Sequence, residues 1–324
     1  MNEGKMVRVA VIQAGGTPFV RDAAVDKVCA MTADAAAQGA ELVLLPEAYV
    51  GGYPWGLTFG TTVGGRSTAG RRVWERYWSN AIEVPGPEVE RMGSAAEQAG
   101  VHLCVGVVER DSTYSGGTLF CTLLYIGPDG SLLGKHRKLK PTAAERFIWG
   151  EGDGSTLTTV ETEHGTVGGL ICWENYMPLA RMAMYSKGVD IYLAPTADAR
   201  ARWQSTLQHI ALEGRCFVLG CNQYVHRDMY PKDLETGDEL GAWPEVLCRG
   251  GSAIYGPLGD VLAGPLWDEE GTLVADLDLT AIVRGKFDFD VTGHYARPDV
   301  FTLSVDTSPH SPVQAKTAMG CPER

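Results

Sequence analysis

A chain of 324 residues, 44% hydrophobic and 21% charged, has the length and composition to bury one large core or two smaller ones. Its 40 acidic and 28 basic side chains leave a net charge of −12, which excludes a general nucleic-acid or anionic-membrane surface as partner. No apolar stretch has the length needed to cross a bilayer, and the opening Met1-Asn2-Glu3-Gly4-Lys5 lacks the apolar region of a signal peptide.

In chain order, Met6 to Gln13 reads as a strand and Asp22 to Gln38 as an alanine-rich helix closed by Gly39. Glu41 to Leu45 is a buried strand ending at Pro46-Glu47, and a loop rich in Gly and aromatics follows from Tyr49 to Gly65. Glu88 to Ala99 is helical and Val101 to Glu109 a strand; Thr118 to Ile126 and Leu132 to Lys135 flank Gly127-Pro128-Asp129-Gly130, the turn of a hairpin. The second half repeats the style, with strands over 166–171, 189–194 and 216–222 and helices over 178–187 and 201–213. A Gly-rich hairpin (252–263) and a strand (273–277) come next. Patterning fades from Ala281, so residues 1–280 are expected to form one α/β domain and 281–324 a tail lying on the body or on a partner subunit.

The segments Gly39-Ala40-Glu41-Leu42-Val43-Leu44-Leu45-Pro46 and Gly188-Val189-Asp190-Ile191-Tyr192-Leu193-Ala194-Pro195 share a helix-ending Gly and a strand-ending Pro at identical spacing. Two related α/β halves would align their strand C-terminal ends along one edge, where open α/β sheets build their sites. Glu47 stands just past one such end and Thr196 at the equivalent point of the other.

Eight cysteines contain no CxxC, so reduced thiols in a cytoplasmic protein are expected; seven scattered histidines without an HxH or HExxH arrangement give no expectation of a metal site. Cys104 and Cys121 lie inside apolar strand-like runs, the setting of a structural thiol. Cys172 differs. The apolar run Thr166-Val167-Gly168-Gly169-Leu170-Ile171 stops at it, Trp173-Glu174-Asn175 follow, and Pro178 opens a helix. At a strand-to-helix corner, free backbone N–H groups and the helix dipole are expected to favour thiolate.

Three further features could serve that thiol. Glu47 at the end of a buried strand is expected to be desolvated and raised in pKa toward the range of a general base, against the simpler role of a loop carboxylate. Lys135-His136-Arg137-Lys138-Leu139-Lys140-Pro141 is a basic cluster in an acidic chain; one of its lysines is expected to point inward, and periodicity does not say which. Glu145, in Thr142-Ala143-Ala144-Glu145-Arg146, reads from spacing alone as a local ion pair.

Leu45-Pro46-Glu47-Ala48-Tyr49, His136-Arg137-Lys138-Leu139-Lys140-Pro141-Thr142 and Gly169-Leu170-Ile171-Cys172-Trp173-Glu174-Asn175 resemble, in order, the three signature segments of the nitrilase superfamily, a resemblance running from about Val7 to Leu303. It implies catalytic Glu47, Lys138 and Cys172, an additional active-site glutamate at Glu145, and an αββα sandwich that becomes four-layered on dimerisation. The segments around Trp149, around Cys172-Trp173-Glu174-Asn175-Tyr176-Met177-Pro178 and at Gly293-His294-Tyr295-Ala296-Arg297-Pro298-Asp299 resemble the true nitrilases. That branch implies hydrolysis of an organic nitrile to carboxylic acid and ammonia without cofactor, through a cysteine thioimidate, in a homodimer or larger homo-oligomer. The chain's short extension past His294 argues against extended filaments.

Tyr53, Trp149, Trp173, Tyr176 and Thr196 are expected to contact substrate, with Trp55 and Phe59 near the same corners, which favours aryl or arylaliphatic nitriles. An aliphatic dinitrile, β-cyanoalanine and some amide by-product stay open. The alternatives are an amidase of the same superfamily and a non-catalytic binding or assembly subunit.

Overall fold

The computed structural model describes residues 6–313 apart from 115, 237 and 238. The first half runs through β1 (Met6–Gln13), α1 (Arg21–Ala37), β2 (Leu42–Leu44), the small hairpin β3 (Thr61–Thr62) and β4 (Gly65–Arg66), α2 (Thr68–Ser79), α3 (Pro87–Ala99), β5 (His102–Arg110), β6 (Leu119–Ile126) and β7 (Leu132–Arg137). The second half has β8 (Thr159–Thr162), β9 (Gly165–Gly169), α4 (Pro178–Ser186), β10 (Ile191–Thr196), α5 (Trp203–Gly214), β11 (Phe217–Asn222), β12 (Tyr224–His226), β13 (Val246–Tyr255), β14 (Val261–Trp267), β15 (Gly271–Asp278) and α6 (Thr280–Gly285).

One sheet has the order β15-β1-β2-β5-β6-β7 and the other β12-β13-β11-β10-β9-β8, with β14 paired to β13. In each, three central strands are parallel (β1, β2, β5 and β9, β10, β11) and the flanking ones antiparallel. Two-residue alternation decides the layers. Val7, Val9 and Val11 of β1 join Ile191 and Leu193 of β10 in the cluster between the sheets, while Ala10 and Ile12 turn outward to α1 and α3. Tyr192 and Ala194 of β10 turn the other way, to α4 and α5. The result is an αββα sandwich, in agreement with the fold that the resemblance implies.

Parallel strands in both sheets deliver β2, β9 and β10 with their C-terminal ends at one edge, and Glu47, Cys172 and Thr196 follow or finish those strands. Helix α2 falls just after the aromatic loop and had no counterpart among the expected elements. Its signals were present: Ser67 Oγ accepts from Gly70 N–H at 2.9 Å as an N-cap, and Val73 and Tyr77 form the buried face at i, i+4. Regular structure also extends past residue 280, where α6 occupies Thr280–Gly285. Beyond it, Val291 and Leu303 pack on the α4/α5 layer, and Asp153 accepts from the His310 N–H at 2.7 Å. Tail residues 314–324 lie outside the described residues. Among the described residues no helix is long and apolar enough to cross a membrane.

Candidate active site

The site grows from the strand ends. After β2 the chain turns through Pro46 and Glu47 to Ala48, whose φ is +47°, and lies against β5 with Tyr49 N–H donating to Gly106 C=O at 2.8 Å. Gly106 makes this close approach feasible, because a Cβ there would stand 2.2 Å from Pro46 O and 2.7 Å from Glu47 Cα. Gln223, just past β11, holds the same turn by donating to the Glu47 carbonyl at 2.6 Å. Gly106→Ala is therefore expected to displace Glu47, costing about 1–3 kcal/mol as overpacking. Calorimetry checks the fall in Tm, about 2–4 °C per kcal/mol, alongside a fall in turnover.

Lys138 is the inward lysine. It follows β7 and is fully buried, with Nζ donating to Glu47 Oε1 at 2.6 Å and to Glu145 Oε2 at 2.7 Å. Lys135 instead reaches Glu109 at 2.6 Å and Lys140 pairs with Glu151 at the surface. Glu145 sits in the helical turn Ala143–Phe147, where its carboxylate also accepts from Thr142 N–H at 2.7 Å and from the Tyr53 hydroxyl at 2.6 Å. Of the partners that spacing allowed Glu145, Arg146 or a lysine, the structure selects a lysine, Lys138, and the Arg146 guanidinium goes to the Pro141 carbonyl at 3.3 Å. One buried cation thus holds two carboxylates in fixed orientation.

Cys172 starts the turn Cys172–Tyr176 with φ +54°, a left-handed conformation that a non-glycine residue adopts at a cost of about 1–3 kcal/mol. The two residues after Trp173 hold it there. Asn175 donates to the Leu170 and Cys172 carbonyls, both at 2.9 Å, and its own Oδ1 accepts from Tyr192 at 2.8 Å. Glu174 accepts from the backbone N–H of Ile171 at 2.8 Å and of Leu139 at 2.6 Å, tying the cysteine corner to the lysine segment. Thr196 donates to Cys172 Sγ at 3.1 Å while accepting from Asp198 N–H.

Burial pushes the Glu47 carboxyl up to about 7, against the downward pull of Lys138. This matches the expected shift. The expectation of a stabilised thiolate at Cys172 does not hold: burial and then Glu47's charge push the thiol up from its ordinary value, and Lys138 offsets this only in part. The resting pair is a thiol beside a carboxyl poised near neutrality. Lys138 is held well above its ordinary value because the two carboxylates outweigh its own desolvation, so it remains an ammonium. Glu47 Oε1 also receives the Cys121 thiol at 3.6 Å, while Oε2 is buried without a hydrogen-bond partner among the described residues.

Cys172 is 4% exposed at the floor of a cavity of about 550 Å³. Tyr53, Trp55 and Trp173 supply its aromatic wall, and Ala197, Ala199, Val246 and Leu247 its aliphatic one. Its mouth carries two ion pairs, Asp198 with Arg200 and Asp268 with Arg249. Of the residues expected near substrate, Tyr53 and Trp173 line the cavity. Trp149 stands behind Tyr53, edge-on at 5.5 Å, and Thr196 lies on the sulfur. Tyr176 is outside the lining, edge-on to Trp173 and Trp203, and Phe59 packs in the core on Trp74 and Tyr77. Gln223, Cys121 and the charged mouth were not anticipated. A polar pair, Asn222-Gln223, ending the apolar β11 at the same sheet edge was the available signal for the first.

The family model described as carbon-nitrogen hydrolase matches residues 8–286. The chain is 53% identical over 307 residues to an aliphatic nitrilase of Sinorhizobium fredii, covering 94% of this chain and 97% of that protein. It is 51% identical over 316 residues to a bifunctional nitrilase/nitrile hydratase of Lupinus angustifolius, covering 96% and 89%. Among solved structures, Saccharomyces cerevisiae Nit3, a member of branch 10 of the nitrilase superfamily, shares the fold with a TM-score of 0.68 at 20% identity, over 90% of this chain and 97% of that one. The chain belongs to the carbon-nitrogen hydrolase family, the nitrilase superfamily, and within it to the nitrilase branch of enzymes that hydrolyse nitriles.

Proposed function

We propose that nitrile hydrolysis here runs through a covalent adduct on Cys172, with Glu47, Lys138 and Glu145 as its partners; the observation that carries this is the Glu47–Lys138–Glu145 cluster buried around a strained thiol at the cavity floor. Glu47 accepts the thiol proton as sulfur attacks the nitrile carbon; one C–N π bond breaks and Glu47 passes that proton to the nitrogen, giving a thioimidate and restoring the carboxylate. Lys138 and the backbone N–H of Trp173 stabilise the charge that develops on nitrogen. Glu47 then takes a proton from water as it adds to carbon, the C–N bond breaks to release ammonia, and a second water converts the thioester to acid and free thiol. Glu145 orients Lys138. If the tetrahedral intermediate loses sulfur instead of nitrogen, the product is the amide, in keeping with the nitrilase/nitrile hydratase activity named for the lupin relative.

In this reading the substituent lies against Tyr53, Trp55 and Trp173, and is aryl or arylaliphatic. A second reading, an aliphatic nitrile, is favoured by the name of the Sinorhizobium relative. The enzyme acts as a homodimer, for which the exposed Met177 and Leu179 at the start of α4 and Leu212 of α5 supply apolar surface. A panel of phenylacetonitrile, benzonitrile and straight-chain nitriles, with ammonia, acid and amide all quantified, tests the substrate. The aromatic wall is expected to give phenylacetonitrile at least about a tenfold advantage in kcat/KM. A straight-chain nitrile turned over faster would transfer the assignment to the aliphatic reading, and ammonia from phenylacetamide alone would sink nitrile chemistry.

A further inference from the structure

The edge of the sandwich opposite Cys172, where the parallel strands begin, carries a second group of chemistry-bearing side chains. His102 opens β5 beside Glu41, which precedes β2; the His102 N–H donates to the Glu41 carbonyl at 2.9 Å. Glu163 and His164 form the two-residue turn between β8 and β9 of the other sheet. His102 and His164 are 5% and 4% exposed, whereas Glu163 and Glu41 remain open to solvent. Sequence spacing hid the group because its donors come from three separated segments.

We propose that His102, Glu163 and His164 bind a divalent transition-metal ion of the zinc type. One donor atom from each residue can be chosen so that all lie within 4.8 Å of one another. His102 Nε2 is 3.0 Å from Glu163 Oε2, and His164 Nε2 is 3.4 Å from Glu163 Oε1. Ligands of a tetrahedral ion with bonds of about 2.0–2.1 Å stand about 3.3 Å from one another; the two contacts run to different oxygens of Glu163, so a rotation of its exposed carboxylate presents a single oxygen to both imidazoles. Two imidazoles with a carboxylate form a donor set suited to zinc and to cobalt, nickel or copper, and unsuited to calcium or magnesium. Glu41 Oε1, 4.0 Å from His164 Nε2, stands within reach of the fourth position after a small side-chain rotation. The ion joins the start of β5 to the β8–β9 turn and so ties the two sheets together at the end away from the thiol.

The test uses the full-length protein stripped with a chelator and titrated with Co²⁺ alone. One equivalent per chain is expected, with the visible bands of a tetrahedral nitrogen–oxygen site and no thiolate charge-transfer band; Zn²⁺ should displace it and raise Tm. In His102→Gln/His164→Gln that equivalent should vanish while nitrile turnover is unchanged. Should the double variant fail to fold, Glu163→Gln at the exposed turn is expected to weaken Co²⁺ binding by at least the roughly 10–100-fold that loss of even a supporting partner costs. Uptake of less than one equivalent, a thiolate spectrum, or unchanged affinity in Glu163→Gln overturns the site.

Discussion

Cys172→Ala is expected to lower nitrile turnover by on the order of 10⁶-fold, the scale seen when the nucleophile of a cooperating set is removed. The substitution deletes one sulfur from a position 4% exposed, and leaves Asn175, Glu174 and their hydrogen bonds untouched. The hydrogen bond lost is the one that Thr196 donates to sulfur, a weak acceptor, so thermal unfolding should change little. Glu47→Gln should cost about 10²–10⁴-fold, the range of a general base. The amide can still accept from Lys138, and Lys138 keeps Glu145 at 2.7 Å, so the buried ammonium is not stranded. Intact-mass spectrometry separates the two roles: wild type and Glu47→Gln should carry a substrate-derived adduct under single-turnover conditions, with Glu47→Gln forming it slowly, and Cys172→Ala should carry none. An adduct on the alanine variant would remove Cys172 from the mechanism.

The same pair sets the acid side of the pH profile. Glu47 must be ionised to accept the thiol proton, and burial raises its carboxyl to about 7. Below that value kcat/KM should fall about tenfold per pH unit. A flat profile down to the ordinary carboxylate range would mean that another group takes the proton.

What could be read in advance follows from the range of the forces involved. Strand-terminal prolines and the repeated Gly-to-Pro spacing are local, so the shared edge that brings Glu47 to Thr196 was visible in the chain. Periodicity does not choose among Lys135, Lys138 and Lys140, and only the family resemblance points to Lys138, because the choice depends on carboxylates from other segments: Glu109 takes Lys135 outward, and Glu47 with Glu145 draws Lys138 inward. The state of the Cys172 thiol was misread for a related reason. A strand-to-helix corner promises positive potential from local geometry, but the thiol is buried beside Glu47, and desolvation together with that carboxylate's charge outweighs the pull of Lys138. The His102, Glu163 and His164 group likewise exists only once two sheets are stacked.

Glu174 is expected to be the residue outside the proposed reaction whose loss costs most. Its carboxylate is buried and accepts from Ile171 N–H, on the residue before Cys172, and from Leu139 N–H, on the residue after Lys138. His136 Nε2 stands 3.0 Å from the same carboxylate, and its Nδ1 lies 2.8 Å from the Thr156 carbonyl. The Thr156 carbonyl and the Glu174 carboxylate offer an acceptor to each ring nitrogen, an arrangement that favours the imidazolium form of His136. Desolvation lowers its pKa, but the charge and hydrogen bonds of Glu174 outweigh that and raise it above the ordinary histidine value. A histidine with a raised folded-state pKa contributes stability in full below its unfolded value, and loses it as pH rises through the folded one. In Glu174→Gln the amide must turn its NH₂ toward one of these donors, leaving a buried clash and an unpaired imidazolium, a loss of about 3–5 kcal/mol. Because the corner carrying the thiol and the segment carrying Lys138 both hang from this carboxylate, kcat should fall about 10²-fold, as for a small misplacement of reacting groups, with KM little changed. The measurement is kcat and KM well below the variant's Tm, together with Tm against pH. Wild type should lose Tm as pH rises above the ordinary histidine range, and His136→Asn should lose that dependence. A Glu174→Gln enzyme with lowered Tm but undiminished kcat would reduce the residue to a purely structural one.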